Sequence, residues 1–167
     1  MLVLGIDPGT AITGYGLIRE TVDGLQIVDY GAIRTPKDLP LSERLLLLHE
    51  KLNEIILLHH PQTGAVEKLF FQRNVTTALS VGHARGVVLL AMAQAGIPVY
   101  EYTPMQVKEA VVGYGGADKR QVQEMIKALL AMEEIPQPDD AADALAVAVC
   151  HLHSARFDQL IAGMGDK

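Results

Sequence analysis

Four carboxylates sit where carboxylates are costly. Asp7 ends the apolar run Leu2 to Ile6, and Glu67 ends a second short run, Ala65-Val66. Asp140 and Asp143 lie three residues apart at the head of a segment rich in Ala, Leu and Val, a spacing that puts both on one helical face within a single turn. Asp143 leads straight into Ala144-Leu145-Ala146-Val147-Ala148-Val149, where an unpaired charge is destabilising. Taken singly, each has a plain alternative: Asp7-Pro8-Gly9 as a turn, Glu67 as a strand-end surface charge, Asp139 or Asp140 as a helix N-cap. Taken together, carboxylates converging from two strand ends and one helix start repel one another unless a divalent cation neutralises them. That is the donor set of two-metal phosphoryl transfer, in which one ion lowers the pKa of an attacking water and the other stabilises the leaving oxygen.

The elements that must position these groups can be read from the hydrophobic pattern. Strand-like runs from Leu2 to Asp7, Thr13 to Arg19 and Leu25 to Arg34, separated by Pro8-Gly9-Thr10 and Asp23-Gly24, predict a three-stranded antiparallel meander. An amphipathic helix follows from Ser42, with Leu45, Leu48, Leu52, Ile55 and Ile56 on one face and Pro61 beyond its end. Then come a short strand at 65–67, a long helix from about Thr76 to Ala95 closed by Gly96, a strand from Pro98 to Tyr102, and a short helix from Pro104 to Val112. Asp118 is the expected cap of a further helix, with a stripe at Val122, Met125, Ile126, Leu129 and Leu130. The last helix is expected over 140–153. The sum is an α/β fold, a mixed sheet with three antiparallel N-terminal strands and helices on both faces.

In the long helix Gly82 and Gly86 share a face, which suits either a helix contact within the chain or a contact between subunits; Val87, Leu90 and Met92 lie nearby. Arg85 is expected at that interface.

Composition narrows the function classes. The chain has 167 residues, 49% hydrophobic and 20% charged, as one globular domain would; this is neither a disordered tail nor a rod. One cysteine and no charged-then-apolar leader point to a reducing, cytoplasmic setting, and no apolar run approaches the ~20 residues of a membrane span. The net charge of −6 would discourage a nucleic-acid partner, but its distribution reverses that reading: −4 over residues 1–67, +3 over 68–127 and −5 over 128–167.

The motifs carry a resemblance. Gly5-Ile6-Asp7-Pro8-Gly9-Thr10, Thr13-Gly14-Tyr15-Gly16, Val66-Glu67 with Phe70, Gln106-Val107-Lys108 with Val112-Gly113, and Asp140-Ala141-Ala142-Asp143-Ala144-Leu145-Ala146 together resemble the RuvC family of bacterial Holliday-junction resolvases, in order and over nearly the whole chain. The resemblance implies an RNase H-like fold over residues 1–160 with a short tail at 161–167. It also implies a homodimer that nicks four-way DNA junctions symmetrically in recombination and repair, leaving 5′-phosphate and 3′-hydroxyl ends, and a RuvA-RuvB branch-migration complex as partner. It implies Mg²⁺, with Mn²⁺ as a substitute, two ions per site held by Asp7, Glu67, Asp140 and Asp143. Lys108 and Lys119 match basic residues near the scissile phosphate, Phe70 an aromatic that contacts bases near the crossover, and Arg73 a position that contacts DNA. Some relatives carry a His beside the helical Asp pair; here the segment reads Asp139-Asp140-Ala141-Ala142, which gives no support to a His-assisted site.

Other classes fit less well. An actin-like kinase or ATPase, suggested by the Gly5 to Thr10 turn, needs two such domains around a nucleotide. A non-catalytic DNA-binding module would be expected to have lost one of the four carboxylates, and all are present. An RNase H-like nuclease acting on other branched DNA or on structured RNA is the alternative. The histidines add little: His151 and His153 point to different faces of a helix, and His59 and His60 sit at a helix end where positive charge suits the dipole.

Overall fold

The computed structural model describes residues 1–68 and 75–164, with side chains described over 1–68 and 78–156. In chain order the elements are β1 (Leu2–Asp7), β2 (Ile12–Thr21), β3 (Gly24–Arg34), α1 (Leu41–His59), β4 (Thr63–Glu67), α2 (Val75–Gln94), β5 (Val99–Tyr102), α3 (Pro104–Val112), α4 (Lys119–Leu129) and α5 (Asp139–Met164). They build one five-stranded sheet in the order β3-β2-β1-β4-β5. The meander β1-β2-β3 is antiparallel, whereas β4 and β5 join parallel to β1, so the sheet is mixed as expected.

The two-residue period of the strands sorts their side chains between two cores. On one face Leu2, Leu4, Ile6, Leu17 and Val66 pack against α1 and α2; on the other Val3, Ile18 and Ala65 pack against α3, α4 and α5. Asp7 continues the odd-numbered series Val3-Gly5 and Glu67 follows Ala65, so both carboxylates belong to the α5 face.

That face is made of small residues for a reason. A Cβ on Gly5 would lie 2.1 Å from the carbonyl oxygen of Ala144, and one on Gly16 would lie 2.7 Å from Leu145. Gly5 pairs with Gly16 on one side and with Ala65 on the other, so a flat strip crosses three strands beneath α5. The helix answers with Ala141, Ala144 and Ala148, all buried. Its alanines are therefore a close-approach surface, and they bring the Asp-bearing end of α5 down onto the strand ends.

Several expectations need correction. α5 does not stop near His153 but runs to Met164, and the Ser154 hydroxyl donates to the carbonyl of Cys150 instead of capping or breaking the helix. Met92, expected near an interface, is fully buried against Gly64 in the α1–α2 core, and Val87 is partly buried there. Apart from these corrections, Arg85 forms an ion pair with Glu101 of its own chain. Gly82 and Gly86 meet no described atom within 4 Å of where a Cβ would stand, so they serve no helix contact within the described part of the chain.

Candidate active site

Asp7 and Glu67 leave adjacent parallel strands, one step beyond the paired residues Ile6 and Val66. The turn after Asp7 is held by a buried hydroxyl of β2: Thr13 Oγ1 donates to the Gly9 carbonyl at 2.7 Å and accepts from the Gly9 amide at 3.3 Å. Next to it the Thr10 hydroxyl reaches α2, donating to the Ser80 carbonyl at 2.5 Å and lying 2.6 Å from the Ser80 hydroxyl. The turn is thus tied at once to β2 and to α2.

Asp140 and Asp143 arrive from the first turns of α5, on the side that faces the two strand ends. Their electrostatics register the convergence. Burial, followed by the charges of Asp143, Glu67 and Asp140, pushes the Asp7 carboxyl up to about 7 from the usual 3.8, against a downward pull from Lys119. Burial and the Asp143 charge raise Glu67, with Lys108 and Lys119 opposing. Burial raises Asp143 as well, although its hydrogen bond and ion pair with Lys119 work the other way.

Two lysines complete the site, each set by a helix start. Thr103 opens α3 with a reciprocal pair of bonds: the Gln106 amide donates to Thr103 Oγ1 at 3.1 Å and the Thr103 amide to Gln106 Oε1 at 2.8 Å. Asp118 and Gln121 repeat the arrangement at α4, with both bonds at 2.9 Å. Lys108 therefore sits just past the first turn of α3, and Lys119 is the first residue of α4. Both border a cleft of about 190 Å³ with Glu67 and Asp143, floored by Val107 and Val122. The Lys119 ammonium contacts Asp143 Oδ2 at 3.0 Å and Asp139 Oδ2 at 3.3 Å. Burial is the largest single influence on it and lowers its pKa, but the bonds and charges of Asp143 and then Asp139 together outweigh this and hold it above the ordinary lysine value.

A second opening, about 450 Å³, lies between the turn after Asp7 and α2, bordered by Gly9, Thr10, Ser80, Val81 and Asp140.

The structure brings together Asp7, Glu67, Asp140, Asp143, Lys108 and Lys119. Phe70 and Arg73 lie outside the described residues. Among the described residues no trio of His, Cys, Asp or Glu side chains is gathered tightly enough to hold a metal ion, and an oxygen of Asp143 is engaged by Lys119. The donor set itself suits a hard divalent cation, being entirely carboxylate oxygen with no thiolate or imidazole. The raised carboxyls reflect burial first and then mutual negative charge, and a cation would relieve both.

Sequence reasoning missed Asp139, Gln123, Thr10 and Ser80. Gln123 carried a signal, a polar residue beside the apolar stripe of α4, and it is buried with its amide on Asp139.

A mixed sheet in this strand order, with acidic residues at the ends of its central strand and of the parallel strand beside it and a helix laid across them, is an RNase H-like nuclease fold. The profile of the family "Crossover junction endodeoxyribonuclease RuvC" matches residues 3–151. The RuvC of Desulfitobacterium hafniense is 61% identical over 157 residues, covering 94% of this chain and 95% of that one. The RuvC of a Roseiflexus strain is 59% identical over 152 residues, 91% and 90% of the two chains. The structure of Thermus thermophilus RuvC in complex with a Holliday junction substrate superposes with a TM-score of 0.90 at 38% identity, covering 95% of this chain and 96% of that one. The chain belongs to the RuvC family, the crossover junction endodeoxyribonucleases, which are metal-dependent nucleases. No helix among the described residues is long and apolar enough to cross a membrane.

Proposed function

We propose that this protein resolves Holliday junctions in the bacterial cytoplasm by nicking two strands at symmetry-related positions, leaving 5′-phosphate and 3′-hydroxyl ends. The observation that carries the reading is the acidic cluster of Asp7, Glu67, Asp140 and Asp143 facing a cleft edged by Lys108 and Lys119, in a chain of the RuvC family. The four carboxylates would hold two divalent cations, Mg²⁺ or Mn²⁺. When bound, these ions supply Lewis acidity, lowering the pKa of water and offsetting charge at the leaving oxygen.

The remaining work belongs to the chain. Asp7 would hold a cation as the carboxylate, so the proton that burial and its neighbours favour would have to leave first. Lys119 stands at the mouth of the cleft, where its ammonium offsets the charge that builds on the phosphate in the transition state. Lys108, which borders the same cleft, neutralises a backbone phosphate and helps set the register of the strand. Phe70 and Arg73 are assigned to the same DNA, Phe70 at bases near the crossover.

A junction with two equivalent strands calls for two equivalent sites, and so for a homodimer with a two-fold axis. The face of α2 bearing Leu79, Gly82, Gly86 and Leu90 is our choice for the contact: both leucines are more than half exposed and the glycines are uncovered by described atoms. A RuvA-RuvB complex is the proposed partner in branch migration.

The test is a gel assay with end-labelled four-way junction, linear duplex and structured RNA under Mg²⁺. Paired nicks on the junction alone are expected. Cleavage of the RNA with the junction left intact would replace this reading with an RNA-processing one.

A further inference from the structure

Asp139 stands outside the proposed cation set, yet it is held at two points. Its Oδ1 accepts from Gln123 Nε2 at 3.1 Å, and its Oδ2 lies 3.3 Å from the Lys119 ammonium. Gln123 is itself only 8% exposed, so the amide that grips Asp139 is anchored in the body of α4. Lys119 thus bridges two carboxylates of unlike surroundings. Asp143 contributes to the charge felt by Asp7 and Glu67, and Asp139 acts on Asp143 and Lys119.

We propose that Asp139, steadied by Gln123, is a positioning residue that receives Lys119 when a divalent cation takes Asp143. The inference rests on the function proposed above. A cation entering the cleft must compete with the ammonium for the Asp143 oxygens. A lysine displaced with no second partner would lose its counter-charge and swing into water on its flexible four-carbon stem. Asp139 supplies that partner within reach of the present Lys119 position, so the ammonium gives up Asp143 with little movement and stays at the mouth of the cleft. Asp139 therefore assists both cation entry and the placement of Lys119 against the phosphate, while touching neither cation nor phosphate itself.

The experiment compares wild type with Asp139→Asn, Asp139→Glu, Lys119→Met and Asp139→Asn/Lys119→Met. Mn²⁺ binding without DNA is measured by electron paramagnetic resonance, and junction cleavage is followed against Mg²⁺ concentration. Asp139→Asn should raise the Mn²⁺ dissociation constant and the half-saturating Mg²⁺ by about two- to fivefold, the size expected of one half-exposed ion pair. Asp139→Glu should recover part of the loss. In the Lys119→Met background the same Asp139→Asn change should have no further effect on Mn²⁺ affinity, because the competitor for Asp143 is gone. An equal loss in both backgrounds would mean that Asp139 acts by charge alone and would overturn the proposal, as would unchanged Mn²⁺ affinity in Asp139→Asn. Wild type that binds no Mn²⁺ and leaves junctions intact would remove the proposed function as well; wild type that binds and cleaves, with Asp139 indifferent, would remove only this inference.

Discussion

Gly14 makes the room that Asp140 occupies. A Cβ on Gly14 would lie 1.9 Å from the Asp140 carbonyl oxygen and 2.9 Å from the Ala141 amide, and Gly14 is the residue paired with Asp7 across β1 and β2. The backbone of the helix start therefore rests on the strand directly beside the first carboxylate. No side chain between them could be accommodated by a rotamer change, since the obstacle is backbone.

Gly14→Ala should accordingly push the head of α5 off the sheet and separate Asp140 and Asp143 from Asp7. Displacements near 1 Å in a reacting constellation can lower a rate by about 10²-fold. The expected outcome is a cleavage rate reduced by about that factor or more, a folded circular dichroism spectrum, and junction binding retained in the absence of cation. Wild-type cleavage by Gly14→Ala would show that the close approach has no part in building the site.

Asp7 predicts how pH acts. Its carboxyl titrates near 7 in the folded protein and near 3.8 when free, so between those values the folded state holds a proton that the unfolded state has released. Without cation, this group makes the fold less stable as pH rises from about 4 to 7, because the native state binds the extra proton. Cation binding runs the other way: the proton must leave first, so affinity should weaken about tenfold per pH unit below 7 for one linked proton. Thermal melts of the metal-free protein and Mn²⁺ titrations across pH 5 to 8 test both signs. In Asp7→Asn the destabilisation with rising pH should be much reduced; a melt profile identical to wild type would assign the effect to Glu67 and Asp143, which are also raised.

Much of this site could be read in one dimension. Asp7, Glu67 and Asp143 betray themselves by standing at the edge of apolar runs, and the cap of α4 at Asp118 follows from local chemistry alone. The register that sets Gly14 against Asp140 is a relation between a strand and a helix more than a hundred residues apart, and no local pattern contains it. Helix α2 failed for a different reason. It is apolar on nearly every side, so its sequence does not say that Met92 faces inward while Leu90 is 52% exposed. In sequence Asp139 reads only as a helix-start acid beside Asp140; its proposed role depends on Gln123 and Lys119, which arrive from another helix.

Separating chemistry from binding is the next test. Asp7→Asn and Glu67→Gln keep the shape of their side chains and remove the charge a cation needs, so each should lower cleavage by about 10³-fold or more while junction affinity holds within a few-fold. Affinity rests on phosphate neutralisation by Lys and Arg. Lys119→Ala should behave differently again. It frees Asp143, so the cation should bind more tightly, yet the rate at saturating cation should fall by more than the affinity for junction does. If rate and affinity fall equally, Lys119 is an ordinary phosphate contact.

The last prediction concerns the pairing of two sites. Thr10 ties the turn after Asp7 to Ser80 on α2, and Leu79, Gly82, Gly86 and Leu90 lie on the exposed side of the same helix. Whatever presses on that face is therefore linked to the position of Asp7 through one short hydrogen-bonded step. Mixing wild-type with Asp7→Asn chains should give hybrids that nick one strand of a junction and leave the second, so nicked product accumulates in place of paired duplexes. Leu90→Lys should place a charge on the exposed face of α2 and shift sedimentation equilibrium toward monomer, with resolution lost and metal binding by each monomer retained. Dimers that withstand Leu90→Lys would move the interface to another surface, and wild-type protein sedimenting as a monomer both free and on the junction would leave an enzyme that nicks without resolving.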